Sequence, residues 1–173
     1  KSNTVSGVKL INGEVIPATK IVSTMPLTSL VNGLSNVPEN VKKAASNLKF
    51  RNTILVYLEI NQEQLFPDNW LYIHAPEIRH GRITNFRNWC SSLNRDKKTS
   101  ILCLEFWCFE DDELWHNKEK CIELAKEEIF KINLIPKNAE VLNTYYHRIP
   151  NCYPIYNVGY QKQRKGNNYE KNT

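Results

Sequence analysis

The sequence predicts an α+β domain in which a mixed, mainly antiparallel sheet is covered by helices. Three observations lead there. Two long segments, 52–60 and 99–109, place apolar side chains on both of their faces, the pattern of central strands. Two others, 38–48 and 118–133, carry apolar residues at helical spacing. The chain has 173 residues, 41% apolar and 24% charged, enough to bury a core without disulfide or metal staples and too apolar to be disordered throughout. This size suits one domain, or one large piece of a bigger protein. Lys1 rather than Met opens the chain, and no secretory signal is present, so the expectation is a processed or excised piece.

In order, residues 4–11 alternate and meet Asn12-Gly13, the signature of a hairpin whose return strand is 14–16. A third strand is expected at 20–23, ended by Thr24-Met25-Pro26, with a short helix over 27–34. Pro38 opens a second helix, with Val41, Ala44, Ala45 and Leu48 on one side. In 52–60, Ile54, Val56, Leu58 and Ile60 share one face, while Leu55 and Tyr57 share the other. Strands at 70–74 and 82–86 are joined by a loop with Pro76 and Gly81. The 99–109 strand sorts into Leu102, Leu104, Phe106 and Cys108 against Ile101, Cys103, Glu105, Trp107 and Phe109. A helix over 118–133, capped by Asn117, lines up Ile122, Ala125, Ile129 and Ile132. A last strand over 139–148 is followed by the extended Tyr153-Pro154-Ile155-Tyr156. The polar tail from residue 161 is expected to be disordered, or a helix that lacks its partner.

Composition narrows the function. The longest apolar run is of strand length and contains Glu105, short of the ~20 residues of a membrane-spanning helix. The net charge of +5 is scattered, with one basic run at 162–165, so no nucleic-acid partner is expected. An acidic small molecule, such as a phosphate ester or a sugar nucleotide, is compatible. Five cysteines without a Cys-x-x-Cys pair read as reduced thiols of a cytoplasmic protein, with no metal site. His74 and His80 are expected as solvated loop residues, and residues 110–113 as a solvated acidic turn. No two of the six glycines are separated by a single residue, so a phosphate-cradling Gly-x-Gly-x-x-Gly loop is absent, as are a Walker loop and a Gly-x-Ser-x-Gly elbow.

Two features carry chemistry. Glu105 sits in mid-strand between Cys103 and Trp107; once buried it needs a partner, and an arginine is expected there for a structural pair, with catalysis as the alternative. Residues 79–89 gather Arg79, Arg82, Asn85, Phe86, Arg87, Asn88 and Trp89. An arginine fork and a flat indole wall suit a polar ligand with a ring. The plainer alternative is a surface strand with a tucked tryptophan.

Three segments, taken together, resemble one family. They are Val5-Ser6-Gly7-Val8 with Gly13 and 21–27; Gly81-Arg82-Ile83-Thr84-Asn85-Phe86-Arg87-Asn88-Trp89 with Leu104-Glu105-Phe106 and Leu114-Trp115; and Tyr153-Pro154-Ile155-Tyr156 with Gly159-Tyr160. Residues 4–160 resemble the middle of FAD-dependent amine oxidases and protoporphyrinogen-oxidase-like proteins, in the UDP-galactopyranose-mutase-like branch linked to surface-polysaccharide synthesis. The resemblance implies that residues 1–26 are the hairpin and crossing strand of the parent's FAD-binding domain, 27–160 its substrate domain and 161–173 a tail. It implies FAD as cofactor of the parent, held mostly by parts outside this sequence, with Ser23, Thr24 and Pro26 near the flavin. Arg82, Asn85, Trp89 and Tyr153 would border the substrate cavity. Many amine oxidases place a lysine near the start of the central strand; Arg51-Asn52-Thr53 stands here, with Lys49 close by. That shifts the expected chemistry towards dehydrogenation of another substrate or a mutase reaction, with Arg51, Arg79, Arg82 and Arg87 as candidates for holding a diphosphate. The isolated piece would be inactive and would not retain FAD. A free-standing α+β ligand-binding module is the alternative.

Overall fold

The computed structural model describes residues 4–93 and 98–161. The chain divides into two compact units, Lys1–Leu48 with Val158–Thr173, and Lys49–Asn157. From residue 162 onward the expected tail lies outside the described residues.

In the first unit, β1 (Gly7–Lys9) and β2 (Val15–Pro17) pair antiparallel, with Val8 opposite Ile16. Gly13, at φ +89°, makes the turn that Asn12-Gly13 predicted. Gly7 has no room for a side chain, because a Cβ there would stand 2.5 Å from the Ile16 carbonyl oxygen. The third strand expected at 20–23 does not form; the segment is exposed and joins no sheet among the described residues. Two short helices follow, α1 (Leu27–Gly33) after Pro26 and α2 (Glu39–Ser46) after Pro38. Ala45 is the buried apolar residue of this unit among the described residues, whereas Val5, Val15, Ile16, Ile21 and Val22 are all exposed.

The second unit is a five-stranded sheet of order β4-β5-β6-β3-β7, every pairing antiparallel. Its strands are β3 (Phe50–Ile60), β4 (Trp70–Tyr72), β5 (Arg82–Asn85), β6 (Ser100–Cys108) and β7 (Val141–Pro154). The expectation of central, two-sided strands holds: β3 lies between β6 and β7, and β6 between β5 and β3. The β3–β6 register runs unbroken from Asn52 opposite Cys108 to Ile60 opposite Ser100. The β3–β7 ladder slips between Arg51 and Thr53, where Asn151 adopts φ 52° and donates its N–H to Asn52 Oδ1 at 2.9 Å.

One face of this sheet is the core. Ile54, Val56, Leu58, Ile60, Ile83, Leu102, Leu104 and Phe106 have no solvent exposure, and helix α5 (Lys118–Lys131) packs its buried side there. Asn117 caps α5 as expected, accepting from the Lys120 N–H at 2.9 Å. The buried stripe is Cys121, Ala125, Glu128 and Ile129, with Ile122 and Ile132 only partly covered. The helix is thus turned so that a carboxylate points inward. The reason is His80, which is wholly buried rather than a solvated loop residue. Its Nδ1 lies 2.7 Å from Glu128 Oε2, and the backbone N–H groups of Arg79 and His80 also donate to that carboxylate. Burial pushes the Glu128 carboxyl up, but these hydrogen bonds outweigh it and hold the group below the usual range. Two short helices were not visible in the sequence: α3 (Phe86–Trp89) and α4 (Glu113–His116). The acidic turn is partly engaged, since Asp112 accepts from the Phe109 N–H at 2.7 Å and Glu113 pairs with Lys120.

Candidate functional site

The second face of the five-stranded sheet is polar and aromatic. Strand alternation sends Arg51, Thr53 and Tyr57 of β3, Cys103, Glu105 and Trp107 of β6, Arg82 of β5 and Trp70 and Tyr72 of β4 to this side, opposite the core set. At its centre is the partner that Glu105 was expected to have. Arg82 and Glu105 are directly opposite in the β5–β6 register. The guanidinium grips the carboxylate with two hydrogen bonds, Nε to Oε1 at 2.7 Å and Nη2 to Oε2 at 2.8 Å. Burial works against the Arg82 charge, but the Glu105 hydrogen bond and charge outweigh it and hold the guanidinium pKa above its ordinary value.

Around this pair the side chains form a chain of rings. Arg82 Cζ lies 5.8 Å from the Tyr72 ring centroid, and its Nη2 is 3.5 Å from the Tyr153 hydroxyl. Trp107 meets Tyr72 at 6.1 Å and Tyr153 edge-on at 6.4 Å. Arg51 lies over the Trp107 ring at 5.5 Å. Gly81 is what lets the indole lie flat against the neighbouring backbone: a Cβ on it would stand 2.0 Å from Trp107 Cζ3. Further along the face, Tyr57 stacks on Phe86 at 6.0 Å and contacts Tyr145 at 5.9 Å. Burial, with Cys103 beside it, pushes the Tyr57 hydroxyl up to about 12, and burial next to Glu105 pushes the Cys103 thiol up to about 12. Both groups are therefore neutral near pH 7. Tyr72 and Trp70 keep 49% and 45% exposure, so the rings remain reachable.

Arg82 and Tyr153 thus share this face. Asn85 and Trp89 do not join them. Asn85 sits two residues from Ile83 on the core side, 1% exposed, and donates to the Phe66 carbonyl while accepting from the Arg87 N–H to cap α3. Trp89 rides on α3, 55% exposed, with its indole N–H on the Asn69 carbonyl. Ser23 and Thr24 lie exposed in the irregular segment of the first unit before α1, and Pro26 immediately precedes that helix. The sequence reading of 79–89 missed the residues that build the ring cluster, Tyr72 and Trp107. The signal available for Trp107 was its alternation with Glu105 along β6. No cluster of three or more metal-ligating side chains occurs among the described residues. A cavity of about 450 Å³ lies apart from this cluster, lined by Trp115, His116, Lys118, Tyr146, His147 and Arg148.

No protein-family model matches the sequence, and no curated protein matches it. Solved structures do match the fold. A UDP-galactopyranose mutase in its reduced form superposes with a TM-score of 0.76 at 19% identity, over 92% of this chain and 35% of that one. A protein from an Exiguobacterium species, provisionally described as a protoporphyrinogen oxidase, matches with a TM-score of 0.61 at 18% identity, over 90% of this chain and 35% of that one. An oxidoreductase from Methanosarcina mazei matches with a TM-score of 0.59 at 17% identity, over 86% of this chain and 35% of that one. The chain therefore has the fold of part of these proteins and spans about 35% of their length.

Proposed function

We propose that this chain is the substrate-binding part of an FAD-dependent flavoenzyme, an oxidoreductase or a UDP-galactopyranose-mutase-like enzyme, serving surface-polysaccharide synthesis. The observation that carries this reading is the aromatic face built around Arg82, Tyr153 and Trp107, on a sheet whose fold is that of part of a UDP-galactopyranose mutase. Rings that stand half in solvent beside a fixed guanidinium suit an anionic, ring-containing small molecule such as a sugar nucleotide. Arg82 keeps its Glu105 pair and turns the remaining N–H groups of its fork towards the ligand beside the Tyr153 hydroxyl. Tyr72 and Trp107 supply the walls.

The residues present fit one edge of an FAD site. Ser23 and Thr24 are exposed hydroxyl residues on the irregular segment that leads to Pro26 and α1. The six glycines supply no loop to cradle the dinucleotide's pyrophosphate, so the remainder of the site belongs to other parts of the parent. Those parts are the partner that the exposed Val5, Val15, Ile16, Ile21 and Val22 await. When bound, the flavin would supply the redox-active ring; this chain's residues bind and orient the substrate against it.

The test uses the full-length gene product. It is expected to purify yellow with bound FAD and to consume UDP-galactopyranose, followed by chromatography, with Tyr153→Phe raising KM. The 173-residue chain alone is expected to be colourless. A full-length product that binds no flavin refutes the reading, and stoichiometric flavin on the short chain refutes the assignment of the cofactor site to other parts.

A further inference from the structure

Trp107, one wall of the aromatic face, is held by the segment that leads into β5. Residues 73–81 form no helix or strand, yet two of them grip this residue. The Arg79 guanidinium donates to the Trp107 carbonyl at 3.0 Å, and the ring lies so close on the Gly81 backbone that a Cβ has no room there. Gly81 in turn donates its N–H to the Glu105 carbonyl at 2.9 Å and accepts from the Ile73 N–H at 3.0 Å. An irregular segment can keep a ring in place only if the segment itself is fixed.

His80 stands between these two residues, and what fixes it comes from behind the sheet. Glu128 is part of the buried stripe of α5, on the core side, and is 3% exposed. Its carboxylate accepts three hydrogen bonds from two consecutive residues: the N–H groups of Arg79 and His80, and His80 Nδ1 at 2.7 Å. The His80 ring meets Phe106 edge-on at 5.9 Å, and its Nε2 has no partner, so Nδ1 is the polar tether of the ring. A buried charged pair is a poor source of stability, because desolvating the charges offsets their attraction. What it does supply is geometry: successive backbone N–H groups that point at one anion define the local backbone.

We propose that Glu128, acting through His80, positions Trp107: the clamp sets residues 79–81 from the core side, and these set the indole on the opposite face. This rests on reading that face as substrate-binding. It adds that a wall of the site is held from behind the sheet, by a residue of α5 that touches no ligand. Glu128 and His80 are thus positioning residues. Their loss would shift the ring a bound substrate leans on, while the Arg82–Glu105 pair in the strands stays intact.

The test follows the indole signals of the 173-residue chain with its tryptophans labelled by nitrogen-15, that of Trp107 being assigned by its loss in Trp107→Phe. Glu128→Gln keeps the shape but leaves one oxygen for three donors. It is expected to move the Trp107 signal while those of Trp89 and Trp115 stay in place and report a folded chain. His80→Leu, which removes the ring donor, is expected to move it as well, and His80→Asn, which puts an amide N–H near the place of Nδ1, to bring it back towards the wild-type position. Should Glu128→Gln not fold, the two His80 variants carry the comparison. In the full-length product, Glu128→Gln is expected to raise KM for UDP-galactopyranose about two- to tenfold, the scale of one aromatic contact, and to change kcat less. A Trp107 signal unmoved in both Glu128→Gln and His80→Leu overturns the inference. So do shifts of Trp89 and Trp115 as large as that of Trp107, which mark a general loosening. An unchanged KM beside a displaced Trp107 signal also overturns it and leaves the substrate-binding reading, which Tyr153→Phe tests, in place. A full-length wild type that binds no flavin defeats that reading instead, whichever way the Trp107 signal moves.

Discussion

Arg82→Ala leaves Glu105 with a side chain only 9% exposed and no counter-charge. Removing one member of such a pair strands a buried charge, at a cost of about 3–5 kcal/mol. Glu105→Ala strands a guanidinium whose side chain is 27% exposed and which keeps the Tyr72 face and part of its water, so about 1–3 kcal/mol is expected. The double variant removes both charges together and should fall short of the sum by about 1–3 kcal/mol, the coupling typical of groups in direct contact. The assay is urea unfolding of the 173-residue chain, followed by tryptophan fluorescence and by circular dichroism. At roughly 2–4 °C per kcal/mol for a chain of this length, Arg82→Ala should melt roughly 6–20 °C lower. Single effects that add in the double variant, or an Arg82→Ala chain as stable as the wild type, would show that the two hydrogen bonds do not fix the frame of the face.

Gly81→Ala forces a methyl group against three atoms of the Trp107 ring, all closer than 3 Å, and should destabilise by about 1–3 kcal/mol, with part of the loss recovered in a Gly81→Ala/Trp107→Leu double variant; equal losses in the two backgrounds would refute the clash. Glu128 is held below its ordinary value of 4.5, so its contribution to stability is complete above that pH and is lost as pH falls through the lower folded value; the wild type should therefore lose stability more steeply than Glu128→Gln on going from pH 6 to pH 3, and parallel unfolding curves would refute this. Cys90 is exposed, with its thiol pKa lowered by the Ser92 hydroxyl beside it, whereas burial pushes Cys103 and Cys121 up to about 12 and Cys108 up to about 11, so a thiol reagent at pH 7.5, followed by peptide mapping, should modify Cys90 well before those three, which react only on unfolding.

The core was legible because strand alternation has a period of two and depends on nothing distant. Ile54, Val56, Leu58 and Ile60, set against Leu102, Leu104 and Phe106, sort onto one face by alternation alone, and all seven have no exposure. The need of Glu105 for an arginine was legible for the same reason, since a carboxylate in mid-strand has few fates. What failed depended on side chains meeting across long separations. His80 read as a loop residue because the carboxylate that buries it arrives 48 residues later on α5. Trp89 and Asn85 read as site residues because they stand in one short segment with Arg82, whereas Asn85 faces the core beside Ile83 and α3, which begins at Phe86, carries Trp89 away from the strand. The 20–23 segment reads as a strand by composition, yet has no partner among the described residues. Strand propensity without a neighbour does not make a sheet.

The position of β3 also sets the order in which this unit can assemble. β3 ends at Ile60, its inner neighbour begins at Ser100 and its outer one at Val141. A ribosome releasing the chain from its N-terminus therefore delivers this central strand long before either partner exists. For ~2–10 s of synthesis, at ~5–20 residues per second, Ile54, Val56, Leu58 and Ile60 have no ladder to join. The hairpin of Trp70–Tyr72 with Arg82–Asn85 closes locally, but it meets β3 only through Ser100–Cys108. Assembly of this sheet is thus a late, long-range event, slow in the manner of folds dominated by distant pairings. A nascent chain halted near residue 98 would present a naked central strand, the kind of segment that holding chaperones cover.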